Sequence, residues 1–144
     1  FTMYGSLSIS TSGMIAQRTR LQAIQQNLAN QDAIFDPQGR LNPYRRREVL
    51  LAPGNPTARG RAAEMGVQVV DITLDQSPLQ VGEWDPHSPR AYTSGPHEGY
   101  VAKTNVNPVF EQVSAIEAVR AYEANVMAAE ATKQMVAASL RMLA

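Results

Sequence analysis

Apolar side chains recur at every seventh position over the first thirty residues: Leu7, Met14, Leu21 and Leu28, with Ile24 and Ala29 widening the stripe. Residues seven apart lie nearly above one another on a helix, and no proline interrupts residues 4–30, so this stretch is predicted to be helical. Ile9, Ala16 and Ala23 make a second, weaker stripe on roughly the opposite side. Two apolar faces imply contacts in two directions, where a surface helix of a compact domain needs one. The helix should stop near Asn30, ahead of Asp36-Pro37 and Gly39.

A different rhythm follows. Period-two alternation predicts strands over Arg46–Ala52, Val67–Leu74, Leu79–Trp84 and Tyr100–Ala102, with a phase change or bulge at Val70-Asp71. Residues 33–103 hold every glycine except Gly5 and Gly13 and every proline except Pro108. Pro53-Gly54-Asn55-Pro56 and Asp85–Gly99 read as turns and loops. This middle zone is a small, loop-rich β element with few aromatics and a thin core.

From Asn107-Pro108 onward glycine and proline vanish and alanine becomes dense, which favours a helix begun by proline in its first turn. Val119, Tyr122, Val126, Ala129, Lys133, Val136, Leu140 and Leu143 step by three or four residues, a near-heptad seam with Lys133 as its polar interruption. Ile116, Met127, Met135 and Met142 lie beside it. At 1.5 Å per residue such a helix runs roughly 55 Å, more than a thin β middle can cover. The expected fold is therefore α+β: an N-terminal helical segment (1–32) and a C-terminal one (104–144), paired as a coiled-coil-like bundle, around a β-rich middle (33–103). The pair leaves apolar surface over, and self-assembly is its outlet.

Composition removes other function classes. The chain of 144 residues suits one ordinary domain, and its net charge is zero, unlike a strongly basic nucleic-acid binder. Charge is nevertheless uneven: residues 1–61 carry eight arginines against Asp32, Asp36 and Glu48, a net of +5, and residues 62–144 carry five bases against ten acids, a net of −5. Such halves neutralise each other within one chain or between copies. There is no cysteine, hence no thiolate metal site, disulfide or cysteine nucleophile. No apolar run reaches membrane-spanning length, and the first twenty residues lack the pattern of a cleaved secretory signal.

Nothing in the sequence suggests catalysis. His87 and His97 sit in a Pro/Ser/Gly loop near Asp85 and Glu98, without zinc-site spacing. Arg45-Arg46-Arg47 alternates faces on a strand and has no interleaved aromatic platform, so it reads as a solvated strand or a subunit contact. No phosphate loop, nucleophile elbow or paired carboxylates occur. No metal or cofactor is expected.

Several words of the sequence are familiar. Ser12-Gly13-Met14, Gln17-Arg18 and Leu21 lead into Gln26-Asn27-Leu28-Ala29-Asn30, followed by Pro43-Tyr44-Arg45-Arg46-Arg47-Glu48-Val49. Later come Asp85-Pro86, Pro89, Gly99-Tyr100-Val101, Asn105-Val106-Asn107 and Ala121-Tyr122-Glu123-Ala124-Asn125. In these words and their order the chain resembles the bacterial flagellar basal-body rod protein family, most closely its short proximal-rod members. The resemblance implies a structural subunit, not an enzyme. It would be exported through the flagellum's own type III channel without a cleaved signal, and would polymerise through its terminal helices into a torque-transmitting tube across the periplasm. It also implies as partners copies of itself, other rod proteins, and the export-gate and ring components at the rod base, with no nucleic acid and no membrane insertion. Under this reading the assembly surface comprises Leu7, Met14, Leu21, Ile24 and Leu28 with Ile116 and the 119–143 seam. The competing expectation is a soluble coiled-coil adaptor or export chaperone, whose helices would be stably paired in the isolated chain. A small hydrolase would need a convergent polar pocket in the β zone.

Overall fold

The computed structural model describes residues 3–56 and 58–144, and of Ala62 the backbone alone. Phe1 and Thr2, the start of the expected N-terminal helical segment, lie outside the described residues. Helix α1 spans Met3–Ala29, strand β1 Arg47–Pro53, the short helix α2 Arg61–Met65, strand β2 Val67–Leu74, β3 Val81–Trp84, β4 Tyr100–Ala102, and α3 Pro108–Leu143. The α+β expectation holds, with both long helices and all four strands within a few residues of their predicted places. Helix α2, flanked by Gly60 and Gly66, was not anticipated.

Local chemistry sets the ends. The chain leaves α1 through Asn30, whose backbone and side-chain amides both donate to the Gln26 carbonyl at 3.1 and 2.8 Å. Asn107 caps α3: its Oδ1 accepts from Val109 N at 3.1 Å and Phe110 N at 3.3 Å, with Pro108 at the first helical position. Strands β1 and β2 form one two-stranded sheet, and β3 and β4 form another. The second pair is antiparallel, with Val81 opposite Ala102, Trp84 opposite Tyr100 and a register shift between them. Gly99 (φ 82°) turns the chain into β4, and a Cβ there would stand 2.8 Å from Trp84 Nε1.

The chain divides into two compact units. One contains α1 up to Gln22, Val49–Ile72 and Val113–Ala144. Here α1 and α3 pack antiparallel: Gly13 lies against Asn125, and seven residues on Arg20 pairs with Glu117 at 3.2 Å. Apart from the Asn55 amide, which donates to Ser8 O at 2.9 Å, the buried side chains are small or hydroxylic, Ser12, Ala16, Ser114, Ala118 and Thr132 among them. Ser12 Oγ donates to Ile9 O at 2.7 Å and accepts from Val67 N at 3.1 Å, seating the start of β2 on α1.

The other unit contains Ala23–Glu48 and Thr73–Gln112. Its apolar core is Ala23, Ile24, Ile34, Ala91, Ala102 and Val106. Thr104 donates to Gln31 O, tying the stretch after β4 to the chain just past α1.

The inward face of α1 differs in emphasis from the sequence pattern. Ala16 (1 % exposed) and Ala23 of the weaker stripe are buried, and Ile24 is too, but Leu7, Met14, Leu21 and Leu28 are only half-buried. Small residues win because the helices approach closely. A Cβ on Gly13 would come within 2.6–2.8 Å of three Asn125 side-chain atoms. Gly13→Ala should therefore cost about 1–2 kcal/mol in denaturant unfolding, the overpacking penalty exceeding the propensity gain. Adding Asn125→Ala should recover most of that loss; a neutral single variant would show that the gap is looser than described.

Candidate functional site

Asn27 and Glu111 are the largest fully buried side chains among the described residues, and both are polar. Asn27 comes from the last turns of α1, and Glu111 from the first turn of α3. Every hydrogen-bonding position of the Asn27 amide is used. Its Nδ2 donates to Arg47 O at 2.9 Å and Glu111 Oε2 at 3.1 Å. Its Oδ1 accepts from Tyr44 Oη at 3.0 Å and Arg47 N at 2.8 Å. Glu111 Oε1 accepts from Arg46 Nε in a short ion pair. The same guanidinium lies 3.6 Å from Asp75 and 5.1 Å from the centre of the Phe110 ring. Asn105 Oδ1 accepts from Arg46 N at 2.7 Å, and Asn105 Nδ2 donates to Asp75 O at 3.1 Å.

Arg46 stands immediately before β1, and its side chain enters this cluster where the side chains of Arg45 and Arg47 do not. Arg47 is exposed and Arg45 half-buried. Arg45 Nη1 reaches the carbonyls of Asp75 and Ser77 at 3.3 and 3.1 Å, and Arg47 Nη1 reaches Gln26 Oε1 at 3.4 Å. Among the described residues neither has a carboxylate partner.

Protonation follows these contacts. Burial pushes the Tyr44 phenol above its ordinary value, with Arg47 opposing and Glu111 adding to the rise. Burial works against the Arg46 charge, but the hydrogen bond and charge of Glu111, with Glu48 and Asp75, raise its pKa overall. Asp75 is held below the usual carboxylate range by the Ser77 hydroxyl and backbone N–H, with Arg46 contributing; burial opposes this. Each shift favours the form the group ordinarily has near neutral pH: neutral Tyr44, charged Arg46 and charged Asp75.

The expected assembly residues occupy different depths. Ile116, Val119, Tyr122, Lys133, Leu140 and Leu143 are exposed; Val126, Ala129 and Val136 are half-buried. On the same helix Glu111, Ser114, Ala118, Ala121, Asn125, Thr132, Val136 and Ser139 form the buried or half-buried face. Thus α3 turns small and polar groups inward and leaves large apolar ones outward, Met127 and Leu140 each 63 % exposed. Of the remaining motif residues, Gly99 is buried, while Asn30, Tyr44, Val101, Asn105, Ala121 and Asn125 are half-buried. Ala29, Tyr100 and Asn107 are exposed.

His87 and His97 are exposed, the latter's ring 6.3 Å from that of Tyr92. No three potential metal ligands cluster among the described residues, and no helix there is long and apolar enough to cross a membrane. Sequence periodicity missed Glu111 and Arg46. The signal available was an acidic residue on the α3 face that also carries Ser114 and Ala118, opposite an asparagine.

A helix pair closed inward by small and polar groups, with its apolar side chains outward, is the frame of a structural protein. Residues 97–142 match the family model for the flagellar basal body rod FlgEFG protein C-terminal region. Over 98 % of its length the chain is 36 % identical to the flagellar basal-body rod protein FlgC of Borreliella burgdorferi, covering 97 % of that protein. It is 38 % identical to FlgC of Bacillus subtilis over 96 % of the chain and 97 % of the relative. For FlgC of Escherichia coli the identity is 35 %, over 92 % and 91 %. The chain belongs to the FlgC family of flagellar basal-body rod proteins.

Glu111→Ala should cost about 3 kcal/mol, because it takes from Arg46 its nearest carboxylate, leaving only the longer contacts to Asp75 and Glu48 at 3.6 and 3.9 Å, and from Asn27 Nδ2 a buried acceptor. Replacing both partners, Arg46→Met with Glu111→Leu, should cost clearly less in equilibrium unfolding; equal losses would show that side-chain volume, not charge, is what matters. A second expectation concerns alkaline pH. A phenol whose pKa is raised by folding adds stability below its unfolded value of about 10 and loses it as pH rises through the folded value. Tyr44→Phe should lack that alkaline decline in a pH series of unfolding midpoints; parallel curves would remove the Tyr44 phenol from the account.

Proposed function

We propose that this chain is a structural subunit of the flagellar basal-body rod, built into the tube through the outward faces of its terminal helices. The observation carrying this reading is the apolar outer surface of α3, where Val113, Ile116, Met127 and Met135 are each more than half exposed. Patches of this kind on a small chain are contact surfaces. The inward face of the helix pair is complete without them, so their partners are other subunits.

In this role the chain has no reaction to catalyse. Its work is to hold shape under torque, and the network joining Asn27, Tyr44, Arg46 and Glu111 supports that by fixing the base of both helices with directional bonds. The half-buried Leu7, Met14, Leu21 and Leu28 would complete the packing surface with the 119–143 seam, where Lys133 limits the registers open to a neighbour. Copies of itself and other rod proteins are the immediate partners; export-gate and ring components would be met at the rod base. The domain reading that follows is two helical segments (1–32 and 104–144) forming the rod-core layer and a β-rich middle (33–103) beside it. A free-standing coiled-coil adaptor is disfavoured by the whole-length similarity to rod proteins.

Deleting the gene should leave cells without rods and without motility, and the full chain should restore both; normal rods in the deletion strain would refute the assignment. A finer test uses the double variant Ile116→Glu with Met135→Glu. Both sites are exposed, so stability should change by no more than about 0.5 kcal/mol per site. Incorporation into rods should nevertheless fail; normal incorporation would place the contact surface elsewhere.

A further inference from the structure

The unit of Ala23–Glu48 and Thr73–Gln112 carries a groove of about 610 Å³ walled by Phe35, Pro43, Tyr44 and Leu74, with Arg45 and Arg47 beside it. Phe35 and Leu74 are 45 % and 49 % exposed, so its apolar walls are open. Among the described residues the two arginine side chains bond only to neutral oxygens and keep spare N–H donors. The third lining charge, Asp36, is already taken by Gln38 N, Arg40 N and the Arg40 guanidinium. The groove therefore presents an apolar floor with uncompensated positive charge. What fits it is an apolar side chain flanked by carboxylates.

The chain itself displays that arrangement. On α3, Glu123, Met127 and Glu130 lie at i, i+4 and i+7, which puts them on one exposed face. Among the described residues neither glutamate is in an ion pair; Arg120 and Lys133 flank the stretch, each three residues outside its nearer glutamate. The excess of +5 in residues 1–61 and −5 in residues 62–144 gives the same polarity at long range.

We propose that this groove is the intersubunit socket for the Glu123–Glu130 face of α3 of a second copy of this chain, with Met127 against Phe35 and Leu74 and the glutamates on Arg45 and Arg47. The proposal rests on the rod-subunit reading and adds which surface meets which. A docking of this kind is directional and heterologous, so it extends from copy to copy instead of closing as a symmetric pair.

The absence of native cysteine makes the test clean. Full-length Leu74→Cys and Met127→Cys chains are mixed at concentrations where the protein associates and are then oxidised. The mixed disulfide should exceed that of Leu74→Cys with a Met142→Cys control by about tenfold. Charge reversal gives the second arm. Arg45→Glu with Arg47→Glu should weaken association about fivefold to tenfold at low salt, as expected for losing two rim ion pairs. Mixing that variant with a Glu123→Arg, Glu130→Arg chain should restore it, and 1 M sodium chloride should erase the difference. Equal cross-linking to positions 127 and 142, or no rescue by the reversed pair, overturns the socket. Either failure in a strain whose rods still require this chain refutes the socket alone; rods that form without the chain refute the rod role itself.

Discussion

A single buried amide holds this protein's joint together. Asn27 sits in the last turns of α1 with no exposure and forms four hydrogen bonds, to Tyr44, to both backbone groups of Arg47 and to Glu111. Removing an amide and a carboxylate from water is costly unless every donor and acceptor finds a partner. That condition is met only when the end of α1, the strand entering β1 and the first turn of α3 are in place together. The joint is consequently specific in a way that an apolar contact is not. An apolar side chain tolerates sliding, whereas a four-way hydrogen-bonded amide accepts one geometry.

Fixing the joint with polar bonds relieves the helices of a large internal core. Along α1 and α3 the inner faces are built from glycine, alanine, serine and threonine, close enough that Gly13 has no room for a methyl group beside Asn125. On α3 the large apolar residues Val113, Ile116, Met127, Met135 and Leu140 remain outside. Under the proposed rod-subunit role, stability and association fall to different faces of α3. The contact between α1 and α3 rests on close approach and hydrogen bonds, and under the proposed role the outward apolar face of α3 is left for assembly.

This division also decides what could be read from the sequence. Helix and strand positions follow from periodicity and from glycine and proline, and they emerge almost as expected; Val67–Leu74 and Tyr100–Ala102 match residue for residue. Which helix face turns inward does not follow, because periodicity assigns the largest apolar residues to the interior. Here Leu7 and Met14 yield to Ala16 and Ala23, since the separation of the helix axes, a tertiary quantity, sets the side-chain size that fits. Arg46 looks like its neighbours in a row of three, and what separates it from them is the buried Glu111 of α3, a tertiary partner. That glutamate looked like an ordinary acid favouring a helix N-terminus. The short α2 was missed because five residues between two glycines carry too little periodic signal.

In the proposed rod, the outward apolar face of α3 is buried by assembly. The most direct measurement is thiol reactivity of single cysteines placed at Val113, Ile116, Met135 and Leu140, compared between the free chain and isolated basal bodies carrying the same variants. The account predicts fast labelling at all four in the free chain and strong protection in the assembled rod, with an exposed loop position such as Gly95 serving as the reference for each state. Equal labelling of the α3 positions in free and assembled protein would contradict it.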